Sequence, residues 1–158
     1  GEDDKLFGSV TSQMIADALK DKGIAIEKRQ IEMEDAIKAL GIDDEAARFL
    51  ASRHAVEDIR ACAGRPSAAT RLAPSLPYLW IDVDMAVDCE MAETLEDIMV
   101  RRLGIFYESE DQDVSLAKVV ADRMAVLLGW SPDRVQREVT SYRQLVANHR
   151  RCLEPHDR

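Results

Sequence analysis

The chain has 158 residues, 46% of them apolar and 32% charged, with a net charge of −9; this is enough for one ordinary domain, or a small one plus a fragment, and argues against wholesale disorder. The deficit is −3 over residues 1–41 (six basic, nine acidic) and −6 over residues 42–158 (fifteen basic, twenty-one acidic), so neither part has the basic surplus that usually accompanies nucleic-acid binding. No apolar run approaches the ~20 residues of a membrane span, and the opening GEDDKLFG is acidic rather than a basic signal start, so a cytoplasmic protein is expected. Cys62, Cys89 and Cys152 are odd in number and form no CxxC pair, which indicates neither a disulfide framework nor a zinc ribbon.

In chain order, KLFGSVTSQMIADALKDKG predicts a helix capped by Thr11 or Ser12, with Met14, Ile15, Ala18 and Leu19 at helical spacing and Gly23 as terminator. The flanking KLF and IAIEKRQIEM place Ile24 with Ile26, and Ile31 with Met33, at alternate positions, which reads as short strands. The first 41 residues are therefore expected to form a strand, helix, strand unit. DDEAARFLASRHAVEDIRACAG predicts one helix of about twenty residues, capped by Asp43 or Asp44, with Ala46, Phe49, Leu50, Val56 and Ile59 near one face and Gly64 at its end. RPSAATRLAPSLPY carries Pro66, Pro74 and Pro77 and must be a loop.

WIDVDMAVDCEM satisfies two periods. Ile81, Val83, Met85, Val87, Cys89 and Met91 alternate as in a strand, while Leu79, Val83 and Val87 fall at i, i+4 and i+8; helix is the expectation taken. AETLEDIMVRRL then has Leu95, Ile98, Met99 and Leu103 at helical spacing. DVSLAKVVADRMAVLLGW predicts a helix capped by Asp113 and closed by Gly129, with Leu116, Val120, Met124 and Leu127 on one stripe. SPDRVQREVTSYRQLVANHRRCL predicts another, with Ser131 as cap, Pro132 at the first helical position, Asp133 in the first turn, and Val135, Val139, Tyr142 and Val146 as its apolar face. A short connection makes these last two an antiparallel pair. The fold class is mainly α (α+β): a helical bundle-like domain over residues 42–158, preceded by the small strand-helix-strand unit of residues 1–41.

Two stretches resemble known families. LFGSVTS, IADALK, GIAIEKRQIEM and AIKALG, over about 40 residues, look like the start of the C-terminal domain of bacterial large-subunit ribosomal protein nine. That resemblance implies contact with ribosomal RNA through Ser9, Thr11, Ser12, Lys28 and Arg29. The family's closing strands are absent after Gly41, so an open sheet edge is expected, covered by downstream helices or by a second copy in a homodimer. For Lys28 and Arg29 a solvated strand face is the alternative to an RNA contact.

LPYLWIDVDMAVDCEMAETLEDIMVRR and LLGWSPDRVQREVTSYRQLV resemble the C-terminal helical domain of FAD-dependent glycerol-3-phosphate dehydrogenase, the likeness running from about Ile42 to Val146. Its signature positions include Glu90, Thr94, Glu96, Asp97, Arg101, Arg102 and Trp130. The resemblance implies that glycerol 3-phosphate oxidation and FAD belong to a larger partner part of the enzyme, and no arrangement of the seven glycines gives the GxGxxG turn of a dinucleotide site. No catalytic residue and no cofactor are therefore assigned to this chain.

Other chemistry is weaker. His54, Asp58 and Cys62 at i, i+4 and i+8 would leave a zinc ion's coordination sphere open. ESEDQD, residues 108–113, lacks the length and central glycine of an EF-hand and reads as a solvated loop. Glu90, Glu93, Glu96 and Asp97 are expected to pair with Arg101 or Arg102. Two likenesses meeting without a linker at ALGIDDEAA, in a chain that starts on Gly1, lead to the expectation of a trimmed, engineered fusion without activity of its own. The rival expectations are a fragment or subunit supporting an FAD enzyme, and a ribosomal RNA-binding module carried by residues 1–41.

Overall fold

Thr11 opens the first helix as its sequence suggests, its Oγ1 accepting the Met14 amide at 3.3 Å. The computed structural model describes residues 10–109 and 111–153; Ser9 and the KLF strand expectation lie outside them. The chain divides into two compact units, residues 1–61 and residues 62–158.

The first unit contains α1 (Ser12–Asp21), α2 (Lys28–Leu40), α3 (Asp44–Arg53) and most of α4 (Val56–Cys62). The second strand of the expected unit is not there. Residues 24–27 are a short connection without strand pairing, and Lys28–Leu40 is helical. The alternation of Ile31 with Met33 is outweighed by Met33, Ala36, Ile37 and Leu40 at i, i+3, i+4 and i+7 in a run of good helix formers. A reach-back from Gln30, whose Oε1 accepts the Glu27 amide at 2.8 Å, starts the helix. Among the described residues the single β pairing is an isolated bridge between Arg71 and Leu79, so the open sheet edge behind the expected homodimer has no counterpart there.

Gly41 ends α2 in the left-handed region at φ 65°, and Asp43 caps α3, accepting the amides of Glu45 and Ala46 at 3.1 Å each. The helices on either side of Gly41 pack on each other within one unit. The single helix expected from Asp43 to Gly64 is two, broken where His54 turns extended at φ −123°, ψ 153°. Leu50 and Ile59 are both fully buried. At about 100° per residue an unbroken helix would set them ~180° apart, so the break serves both.

The second unit begins with the proline-bearing loop and continues through α5 (Trp80–Asp88), a π-helix (Asp97–Arg102), α6 (Ile105–Glu108), α7 (Leu116–Leu128) and α8 (Pro132–Leu153). Helix α5 is helical throughout and buried from Ile81 to Val87. Burial on every side explains why its sequence satisfies both periods. The stretch after it takes the wider π turn rather than an α-helix. Helix α7 packs on α5 and α8, burying Ala117, Val120, Ala121 and Met124; Ser115, not Asp113, is its cap residue. Helix α8 buries Val135, Val139, Tyr142 and Val146, the four residues of its predicted face, and Ser131 Oγ accepts the Arg134 amide at 3.3 Å. No helix of the described residues is long and apolar enough to cross a membrane.

Candidate functional site

The signature residues gather around the turn from α5 into the π-helix. Asp97, the first residue of the π-helix, accepts the Thr94 amide at 2.9 Å, the Thr94 hydroxyl at 2.8 Å and the Glu93 amide at 3.1 Å through Oδ2. Its Oδ1 accepts from Arg101 Nη1 at 2.5 Å. This is N-capping carried out from inside the first turn, where unpaired amides favour a carboxylate. Burial works to raise the Asp97 carboxyl, but the hydrogen bonds from Thr94, Arg101 and the two amides outweigh it and hold the group below the ordinary carboxylate range. A carboxyl lowered in this way is an acceptor at neutral pH and is poorly placed to act as a general acid.

Arg101 also pairs with Glu96 at 2.5 Å. Arg102 reaches back across the turn, donating from Nε and Nη2 to the Glu90 carbonyl at 3.2 and 2.7 Å, with the Glu90 carboxylate 3.4 Å from Nε. The expected pairing with Arg101 or Arg102 is therefore found for Glu90, Glu96 and Asp97, whereas Glu93 takes part through its backbone. Thr94, Glu96, Asp97 and Arg101 line a cleft of about 260 Å³ together with Glu138 of α8.

Three participants escaped the sequence reading. Glu138 Oε2 accepts the Leu95 amide at 2.9 Å, and Arg134 pairs with Glu138 at 2.7 Å while its guanidinium stacks 5.1 Å from the Trp130 ring centre. The Arg134 and Glu138 spacing of i, i+4 is a legible signal. A bond from Glu138 to a residue 43 positions earlier is not. The third is Asp84, fully buried, which takes a fork from Arg123 and lies 3.8 Å from Arg65; Arg65 also bonds Asp88.

The RNA-contact expectations fare differently. Thr11 is committed to its cap, and Ser12 begins α1. Lys28 pairs with Glu32 at 3.2 Å, and Arg29 is exposed. Lys28 and Arg29 lie on the first turn of α2 rather than on a strand face.

His54 closes α3, outside the helix that holds Asp58 and Cys62. No group of three or more His, Cys, Asp or Glu among the described residues is placed to hold a metal ion.

Comparison with known proteins finds both likenesses. The family model for the C-terminal domain of alpha-glycerophosphate oxidase matches residues 7–135, a range with Gly41 inside it. A glycerol-3-phosphate dehydrogenase of Mycobacterium leprae is 30% identical over 118 residues, which are 73% of this chain and 20% of that protein. A large ribosomal subunit protein bL9 of an Exiguobacterium species is 63% identical over 41 residues, 26% of this chain and 28% of its own. The bL9 of Nitratidesulfovibrio vulgaris is 41% identical over 63 residues, 40% of this chain and 38% of its own. The chain thus spans about a fifth of the dehydrogenase and less than two fifths of either ribosomal protein. No solved structure matches. With the family model covering most of its length, and Thr94, Glu96, Asp97 and Arg101 of the cleft inside that range, the chain belongs to the family of the C-terminal domain of alpha-glycerophosphate oxidase.

Proposed function

We propose that this chain is the accessory helical domain of an FAD-dependent glycerol-3-phosphate dehydrogenase, giving an interaction surface to the part that binds FAD and turning over no substrate by itself. The observation that carries this is the commitment of the signature side chains to one another: Thr94, Glu96, Asp97, Arg101 and Arg102 each hold the turn or the π-helix. Side chains spent on fixing a surface leave no poised acid and base. FAD belongs to the partner part, and the cytoplasm suits three cysteines that form no disulfide.

The test is gel filtration of the full chain with an FAD-loaded glycerol-3-phosphate dehydrogenase from which its own C-terminal domain has been removed. Co-elution with the flavin absorbance is expected. Separate elution at micromolar concentrations overturns the reading.

The two likenesses are further proposed to reflect an engineered fusion near Gly41, supported by 30% identity to one family over 118 residues and 63% identity to the other over 41 residues. Sequencing the source genome decides it, since one natural reading frame across Gly41 and Ile42 overturns it. That same identity favours a second reading, a ribosomal RNA contact through the first unit. Filter binding across a salt series tests it: salt-sensitive binding lost in the Lys28→Glu, Arg29→Glu double variant supports it, and no binding at low salt removes it.

A further inference from the structure

Arg137, Arg143 and Arg151 of α8 are exposed and, among the described residues, take part in no hydrogen bond or ion pair. Every other arginine or lysine described in the second unit has an acceptor, from Arg65 on Asp88 to Arg150 on Gln112. The chain's net charge is −9, so carboxylates are in excess and a shortage of them does not explain the three. Helix α8 itself carries five arginines against Asp133 and Glu138.

At about 100° per residue the three fall within about a third of the helix circumference, with Arg137 and Arg151 about 21 Å apart along the axis. Arg137 and Arg151 stand opposite the buried Val135, Val139, Tyr142 and Val146, and Arg143 lies on the flank. From Gln136 to Arg151 the arc otherwise holds Gln136, Thr140, Gln144 and Ala147, with no carboxylate; Glu138 is engaged off the arc by the Leu95 amide and Arg134. A groove of about 610 Å³ runs beside Arg137, where Ser141, Gln144 and Asn148 add neutral donors and acceptors, and Glu96, which also lines it, is held by Arg101. A guanidinium takes a carboxylate through a two-point fork, so a row of free ones matches an acidic partner. The repulsion of a chain with net charge −9 works at long range against a continuous polyanion such as nucleic acid, and less against a short acidic strip of protein.

We propose that this arginine face of α8 docks against a strip of aspartate or glutamate side chains on the FAD-bearing part of the enzyme. This rests on the accessory-domain reading above and adds to it the surface and the chemistry of the contact.

The test titrates the full chain against the same FAD-loaded, C-terminally truncated dehydrogenase at about 50 and about 300 mM salt. The triple variant Arg137→Glu, Arg143→Glu, Arg151→Glu is expected to bind about tenfold or more weakly at low salt and to lose the salt dependence that the wild type shows. A double variant in the first unit, Arg48→Glu with Arg60→Glu, both exposed, is expected to change affinity by less than about twofold. Thermal melts of the triple variant within about 2 °C of wild type show that it is folded; should it melt lower, the single Arg143→Glu variant decides, with an expected loss of about threefold or more. Variants that bind as tightly as wild type overturn the arginine face and leave the accessory reading standing. An equal loss in the Arg48 and Arg60 double variant would be an effect of net charge and overturns the face as well. Failure of the wild-type chain to bind removes both. Filter binding of a single-stranded RNA oligonucleotide completes the set: wild-type binding that is abolished in the triple variant would make nucleic acid the occupant and overturn the assignment to the FAD-bearing part.

Discussion

Arg123 on α7 grips Asp84 on α5 with two hydrogen bonds, Nε to Oδ1 at 2.7 Å and Nη2 to Oδ2 at 2.5 Å, and Asp84 is fully buried. The pair joins two helices whose sequences lie 39 residues apart, in the middle of the second unit's core. Asp84 raises the pKa of the Arg123 guanidinium through its hydrogen bond, and the neighbouring Arg65 works in the opposite direction.

Removing Arg123 leaves a carboxylate with little solvent to turn to. Arg123→Ala is expected to cost about 3–5 kcal/mol in urea unfolding, whereas Asp84→Leu combined with Arg123→Met recovers most of that. A single Arg123→Ala loss below about 1 kcal/mol would show that Arg65 carries the charge balance instead.

Asp97 sets a pH dependence whose sign follows from its lowered pKa. A carboxyl depressed in the folded state contributes stability that is present above its unfolded value, near 3.8, and is lost as pH falls through the lower folded value. Chemical denaturation between pH 7 and pH 2.5 is expected to show Asp97→Asn less stable than wild type at neutral pH. The difference narrows as pH falls below about 4. A gap that is constant with pH would mean that the variant acts through packing.

How much of this was legible depends on how far apart the causes lie. Caps and terminators are local chemistry, so Thr11, Asp43, Gly129 and Ser131 were readable, as was the one-sided face of α8. Around α2 two apolar pairs at alternate positions, Ile24 with Ile26 and Ile31 with Met33, competed with a reach-back from Gln30, and a four-residue connection with the first turns of the helix was mistaken for a strand. The break at His54 has no glycine or proline to announce it; it follows from burying both Leu50 and Ile59. In the cleft, the short-range pairs of Asp97 and Arg101 were expected from spacing, but the bond from Leu95 to Glu138 and the Asp84 fork are products of tertiary packing alone.

Gly41 separates two contributions. Its φ of 65° is costly for any side chain, yet an added Cβ would meet nothing within 4 Å. Gly41→Ala is therefore expected to cost about 1 kcal/mol, all of it conformational, and Asp43→Ala about 1 kcal/mol through loss of the cap. Thermal melts of both variants check this, and a loss of several kcal/mol at Gly41 would reveal a steric contact.

Asp113 carries the opposite sign from Asp97. Burial pushes its carboxyl up, with Ser109 opposing and Asp111 adding to the rise, and its backbone sits at φ 43°. The charged form is thus disfavoured in the fold, and the penalty is full at neutral pH and disappears as pH falls below the unfolded value. Asn tolerates the left-handed region, so Asp113→Asn is expected to raise the melting temperature at pH 7 and to match wild type near pH 3. Equal melting temperatures at pH 7 would contradict the assignment of that penalty to the charge.

The accessory-domain proposal holds that this domain supports glycerol 3-phosphate oxidation without carrying it out. The direct measurement is an absorbance experiment on the full chain with FAD, glycerol 3-phosphate and a reducible dye. The expected result is the spectrum of unbound FAD and dye reduction no faster than in buffer. A shifted, protein-bound flavin spectrum, or dye reduction that depends on glycerol 3-phosphate and scales with the amount of chain, would contradict it.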